Sequence, residues 1–352
     1  MTFQKRIFAA LALALLACRT QAEDAKTALN FQEVFGLISS NLAGFPPAEV
    51  EKAAATGLIN ELGGRVELVR VGGPATNAAP LLARTNVYEG GYGYFRVARV
   101  GEGLAKQFSE AYDGLRSSNK LKGILLDLRF ASGQDYKAAS ELADRFLSQE
   151  TTLLKWGDTT LRSTAKSDAI RLPVAVLINQ KTSGAAEALA GALRQSEAAL
   201  LIGNPTAGKA LVFQTFPLST GQELRIGKVP VELGNGQTIP AKGLSPDILV
   251  TVNPLDEAGY FEDAYKVFAK TSEPLAQVSR TNAATNLTGS ARARRSFNEA
   301  ELVRRHREGL DLESEMAGAA EDPAKPLVTD PALARGLDFL KGLAVALQFR
   351  SP

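Results

Sequence analysis

Three apolar runs constrain this chain most. KGILLDLRF (Lys122 to Phe130), LPVAVLIN (Leu172 to Asn179) and AALLIG (Ala198 to Gly203) have strand length and hold the uninterrupted apolar stretches GILL, VAVLI and AALLI. A strand with one wet face alternates polar and apolar residues. These do not alternate, so they read as strands buried on both faces. Helical patterns lie between them: Ala138 to Leu147, with Leu142, Phe146 and Leu147 facing inward, and Ala185 to Gln195. Strand–helix–strand–helix–strand predicts crossover connections in a largely parallel sheet, hence an α/β fold.

Other elements flank this centre. Phe31, Val34, Phe35 and Ile38 line one helical face, and a second helix runs from about Pro47 to Leu62, where Gly63-Gly64 stops it. GYGYFRVARV reads as a strand, and Leu104 to Leu115 as a helix. Beyond Lys209 the pattern turns β-rich: VFQTFPL, then QELRIGKVPVEL and a Gly/Asn turn. These readings divide the chain into an N-terminal helical segment (29–64), a core (65–270), a polar linker (271–295) and a C-terminal helical segment (296–352). Within the last, Ser296 to Gly309 reads as helix and Ala317 to Lys325 as acidic loop. Asp330-Pro331 is a cap-plus-first-turn signal for a closing helix with Leu333, Leu337, Leu340 and Leu347 on one face.

The formal charge of the 352 residues is +2, which gives no electrostatic reason to expect nucleic acid as a partner. One Cys and one His exclude an internal disulfide and leave no ligand set for a His/Cys metal site, so no cofactor is expected. His306 lies in the charged run ELVRRHREGL and reads as part of a solvated helix face rather than a triad. At the start, Lys5 and Arg6 precede the apolar run Ile7 to Ala17, too short to span a bilayer, and Thr20-Gln21-Ala22 offers a cleavage site. Residues 1–22 are therefore expected to be an export signal, with the protein periplasmic or extracellular. LLAC, ending at Cys18, fits a lipoprotein signal as an alternative, with Cys18 lipidated. No other run has membrane-spanning length.

Two motifs could carry chemistry. Gly203 to Lys209 (GNPTAGK) matches the opening of a phosphate-binding loop. The residue after the lysine is Ala210, not the Ser or Thr that would hold magnesium, and strand-like LVFQTF follows instead of a helix. Nucleotide binding is thus a remote alternative to a turn between two strands. The second is NQKTSGAAEALAGAL (Asn179 to Leu193), in which a strand delivers Ser183 and Gly184 to a tight turn before a helix. Lys209 could serve such a serine as general base without any histidine, if its amine were desolvated.

YGYFRV, LKGILLDLRFASG, AASELADRFL, LPVAVLINQKTSGAAEALAGAL, ALLIGNPTAGKALVFQTFPL and GQTIPAKGLSPDI occur in the order and spacing of the tail-specific, or C-terminal processing, peptidases. The chain resembles that family over roughly Tyr92 to Val250, and its leading helical pair is similar to the family's N-terminal helices. The resemblance implies a ClpP/crotonase-like α/β core. It also implies a Ser-Lys dyad acting on the C-termini of extracytoplasmic proteins, with polypeptide C-termini as partners.

The match breaks where the chemistry lies. Aligned on Asn179 and Glu187, the family's nucleophilic serine falls on Gly184, and Lys209 stands at the family's lysine spacing from it. Phe213 occupies the place of a glutamine that helps orient that lysine. Gln214 is one residue further on, and on a strand one residue turns the side chain to the other face. The family's Asn-x-Gly-Gly is Ala131-Ser132-Gly133-Gln134 here. The oxyanion hole carried over by resemblance comprises the amides of Gly133 and Ala185, with Gln134 expected to alter the loop. Asp127 and Arg129 carry over as structural residues. Only about twenty-five residues separate Arg65 from Gly90, too few for the PDZ domain that the family usually inserts there. The leading expectation is a family relative with impaired or lost hydrolysis that retains peptide binding or scaffolding. The alternative is an active serine endopeptidase using Ser183 with Lys209.

Overall fold

The computed structural model describes residues 29–70, 80–268 and 327–348, arranged as two compact units. The first comprises the N-terminal residues together with Lys209–Val231, and the second Ala79–Gly208 with the chain from Glu232 onward. The core expected over 65–270 is thus divided: its first strand and the β-rich stretch after Lys209 group with the N-terminal helices.

In the first unit, α1 (Phe31–Asn41) starts at Asn30, whose side chain accepts from Gln32 N and Glu33 N at 3.0 and 3.4 Å. Proline begins α2 (Pro47–Glu61), where its missing N–H is no loss. The chain then enters β1 (Val66–Arg70). The unit's other two strands come from after residue 209. They form an antiparallel hairpin, and the later one pairs β1, Val66 opposite Ile226.

The second unit holds the three runs from which the fold was read. Its strands are β2 (Leu82–Tyr88), β3 (Tyr92–Val97), β4 (Arg99–Val100), β5 (Gly123–Asp127), β6 (Ser132–Gly133), β7 (Thr152–Trp156), β8 (Thr159–Arg162), β9 (Val174–Ile178) and β10 (Leu200–Gly203). The first unit's hairpin supplies β11 (Leu211–Pro217) and β12 (Gln222–Pro230), after which β13 (Glu232–Leu233) and β14 (Ile248–Leu249) return to the second unit. Its helices are α3 (Leu104–Ser118), α4 (Tyr136–Asp144), α5 (Ala185–Gln195), α6 (Pro254–Glu262) and α7 (Pro331–Gln348).

A six-stranded sheet runs β14-β10-β9-β5-β3-β2, parallel throughout except for the β2–β3 pair. The order β3, β5, β9, β10 advances in one direction. Right-handed crossovers then put α3, α4 and α5 on the same face. Among the described residues, α7 is the helix that packs on the opposite, apolar face. Leu333, Leu337 and Leu340 of that helix are buried against Tyr94, Leu125, Leu177 and Ile202. Each such leucine is worth about 1.5–3 kcal/mol when fully buried. Close approach is possible because Gly336 lies over Leu125 and Gly123 under Leu340. The C-terminal helix is therefore a layer of the core, not an appendage to it. A hairpin, β7–β8, with β13 beside β7 makes a second, antiparallel sheet. Cys18, His306, the 271–295 linker, the 296–309 helix and the 317–325 loop lie outside the described residues. No described helix is long and apolar enough to cross a membrane.

Candidate functional site

The carboxyl end of the central sheet is built on a buried ion network. Asp127 ends β5 and receives Arg129 Nε and Nη2 at 3.0 and 2.7 Å, and the Tyr94 hydroxyl at 2.8 Å. Arg129 also reaches Asp330 at 2.8 Å, and Asp330 caps α7 by accepting from Ala332 N and Leu333 N. All three charged side chains are essentially inaccessible. Burial alone would lower the Arg129 pKa, but Asp127 and Asp330 reverse this and hold it well above its ordinary value. Burial, reinforced by the Asp127 carboxylate, pushes the Tyr94 phenol up. Replacing one member of such a network leaves its partners charged and buried, so it fixes the end of β5 and the start of α7 together.

Above that network the chain leaves β9 through Asn179. Its Oδ1 accepts from Lys181 N, Thr182 N and Phe130 N at 3.0–3.1 Å. Thr182 Oγ1 donates to Leu128 O at 2.8 Å, and Ser183 N to Ala131 O at 3.0 Å. The turn is thereby stitched to the loop after β5. That loop carries Phe130 at φ +61°, a backbone conformation that a bulky residue adopts only when its surroundings impose it. Here the Asn179 hydrogen bond and the Phe261 ring, 4.7 Å centroid to centroid, hold it. Glu257 of α6 is buried nearby. Burial pushes its carboxyl up, opposed by the neighbouring Asn179 side chain and by Arg129.

Glu187, fully buried in the first turn of α5, ties the turn from the other side. Its Oε2 accepts from Gly184 N at 2.9 Å, and Oε1 from Thr206 Oγ1 and Gly208 N at 2.5 and 2.6 Å. One carboxylate thus satisfies an amide that precedes the helix and fixes the loop that follows β10. Thr206 N and Ala207 N are likewise engaged, by Leu244 O and Thr182 O. The amides of Asn204, Thr206, Ala207 and Gly208 are spent on the protein itself, and β11 follows where a phosphate-binding loop needs a helix. The nucleotide reading is not supported by this geometry.

Gly184 adopts φ +62°, ψ −123°, a conformation open to glycine and strained for other residues. A Cβ placed on it would fall 2.2 Å from Gly133 O and 3.4 Å from Gln134 Nε2. Gly133 was expected to offer an amide to the site, but the group it turns toward Gly184 is its carbonyl. The register explains this: β6 pairs in parallel with β4, Gly133 beside Val100, and a Cβ on Gly133 would meet Val100 O at 2.3 Å. The loop is therefore pressed between β4 and the turn. An acceptor in this place opposes an oxyanion, which needs donors about 2.7–3.1 Å away. Ser183 is half-buried and one residue early; its carbonyl accepts Ala186 N at 3.3 Å in the turn. Ala185 begins α5 and is fully buried.

The remaining candidates belong to the first unit. Lys209 lies along Gly64: a Cβ there would be 2.1 Å from Lys209 Cε and 2.4 Å from Nζ. Phe213 lies on β11 just after a bulge, with Arg225 Cζ 4.9 Å from its ring centroid. Gln214 is exposed and its Oε1 accepts from Lys228 Nζ at 2.9 Å, as expected for a residue on the opposite face from Phe213. Sequence reasoning missed the bracing roles of Thr182, Thr206 and Glu257. The first two are small polar residues flanking turns, a signal available in principle but too common to single out.

Residues 91–250 match the family model for peptidase family S41. The chloroplastic carboxyl-terminal-processing peptidase 2 of Arabidopsis thaliana is 32% identical over 160 residues, covering 44% of this chain and 31% of that protein. A carboxy-terminal-processing protease of Bartonella bacilliformis is 32% identical over 177 residues, covering 48% of this chain and 41% of that protein. Among solved structures, a photosystem II D1 C-terminal processing protease aligns at 24% identity with a TM-score of 0.41, over 53% of this chain and 47% of that one. The matches thus span less than half the length of these relatives. Within residues 91–250 the chain resembles the C-terminal processing peptidases.

Proposed function

We propose that this chain binds polypeptide at the carboxyl end of its central sheet and does not hydrolyse it by the serine–lysine route of the peptidases it resembles. One observation carries this reading: the position aligned with the nucleophile is Gly184, and the Gly133 carbonyl fills the space its side chain would need. Removing a nucleophile alone costs on the order of 10⁶ in rate, and here an acceptor also stands where donors are required. The α/β core reads as the ClpP/crotonase type. Residues 1–22 read as an export signal, so the partner would be an extracytoplasmic polypeptide, with Cys18 as a lipid anchor in the alternative processing.

The test is to incubate the purified chain with a labelled unfolded protein beside Ser183→Ala and Lys209→Ala variants. The expected result is no turnover by any of the three, with labelled peptides still bound in anisotropy titrations. Turnover by the parent that both substitutions abolish would establish Ser183 and Lys209 as a working dyad and end the proposal.

A further inference from the structure

We propose that a cavity at the amino end of the central sheet binds a free amino acid with a large apolar side chain. The cavity has a volume of about 410 Å³, within the range of small-molecule sites. It lies where β9 and β10 begin, at the far end of those strands from the Gly184 turn. Its apolar walls include Phe146, Ile170, Leu172 and, from α7, Phe339 and Leu343. Two charged residues, Arg171 and Glu197, also line it. Both are exposed, and neither side chain forms an ion pair or hydrogen bond among the described residues. A guanidinium and a carboxylate that share one cavity without pairing leave each charge open to a partner from outside.

Glu197 stands in a strained place. It follows directly on the Ser196 cap of α5 and adopts φ +56°. Helices commonly end on a left-handed residue there, and glycine takes that conformation without the penalty a Cβ brings. An acid therefore lines the cavity where glycine would be more stable. Strain of this kind clusters at binding sites. The two charges select the ligand. An apolar acid alone would leave Glu197 without a counter-charge, and an apolar amine alone would leave Arg171 without one. An α-amino acid carries carboxylate and ammonium on one carbon. It offers one charge to each residue, carboxylate to the guanidinium fork and ammonium to the carboxylate, while its side chain enters the apolar walls. Either end of a polypeptide brings only one of the two charges, so this cavity is separate from the polypeptide site proposed above.

The experiment titrates L-phenylalanine into the full chain by saturation-transfer NMR, beside phenylalaninamide, N-acetylphenylalanine and glycine. L-Phenylalanine is expected to bind with a dissociation constant on the order of 1 mM, the amide and the N-acetyl form each about 5-fold more weakly, and glycine about 10-fold more weakly or worse. Arg171→Gln should remove the preference over the amide, and Glu197→Gln the preference over the N-acetyl form. Glu197→Gly should remove that second preference while raising the melting temperature, a pairing of effects that a merely structural acid would not give. Arg116→Gln, at an exposed position on α3, is the charge control and should change nothing. Absence of L-phenylalanine binding, equal binding of its three forms, or preferences that survive both Arg171→Gln and Glu197→Gln overturns the proposal. Displacement of L-phenylalanine by the labelled peptides would assign it to the polypeptide site and overturn the proposal equally.

Discussion

Adding a single methyl group at Gly184 tests the geometry of the site most directly. In Gly184→Ala the new Cβ would stand 2.2 Å from Gly133 O, when real Cβ contacts stay beyond 3.0 Å, so something must move by about 0.8 Å. The obstructing atom is backbone. It is held by the β4–β6 pairing and, through neighbouring residues, by Ser183 N to Ala131 O and Phe130 N to Asn179 Oδ1. Yielding would weaken one or two such bonds, about 1–3 kcal/mol. The φ and ψ of Gly184 add about 1–3 kcal/mol for any residue with a Cβ. The sum centres near 4 kcal/mol, or on the order of 10 °C in melting temperature for a unit of this size. Thermal and urea unfolding of the variant beside Gly114→Ala would measure it. Gly114 sits in the interior of α3 with nothing within 4 Å of its added Cβ, and its replacement should stabilise by about 0.5–1 kcal/mol. A Gly184→Ala variant within about 0.5 kcal/mol of the parent would refute the reasoning, because the Gly133 carbonyl could not then be where it is placed. The same clash predicts that Gly184→Ser, which restores the missing hydroxyl, restores no measurable hydrolysis.

Glu187→Ala should cost about 3–5 kcal/mol in urea unfolding, since three donors, two of them backbone amides, lose a buried charged acceptor. Glu257 gives a pH dependence of defined sign. Its folded pKa lies above the ordinary 4.5, so the folded state holds its proton longer than the unfolded state does. Its contribution to stability therefore falls as pH rises from 4.5 through the raised value. Glu257→Gln should flatten the urea midpoint over that window and raise it at neutral pH. An unchanged pH profile would show that the carboxyl is not desolvated.

The central sheet was legible because its strands are buried on both faces. Continuous runs such as GILLD and VAVLI leave no other economical placement, and the Ala185–Gln195 helix falls on its expected bounds. The cap at Asp330-Pro331 was equally plain. The equivalent signal at Asn253-Pro254 starts α6 and went unread, because no apolar stripe follows it. The β7–β8 hairpin also went unread, although Gly157, at φ +52°, sits in its tight turn between Trp156 and Thr159. Long-range pairing was out of reach. Nothing local says that β1 joins β12, more than 150 residues later, or that Lys209 groups with Gly64. At the candidate site the sequence shows Gly184 in the turn and Ala131-Ser132-Gly133-Gln134 in the loop beside it. It could not give the direction of the Gly133 carbonyl, which depends on a peptide plane set by β4 pairing from one side and the Asn179 turn from the other.

The contact between Arg129 and Asp330 joins residues 201 positions apart, and it has a consequence for how the molecule is made. Until α7 exists, the sheet face with Tyr94, Leu125, Leu177 and Ile202 lacks Leu333, Leu337 and Leu340. Arg129 meanwhile lacks the Asp330 carboxylate. Loop closure over so long a span is slow and leaves apolar strands exposed in the interval. A nascent chain therefore cannot complete this unit before residues 331–348 have left the ribosome. A chain cut just before Pro331 should collect as an aggregate rather than as a smaller folded domain.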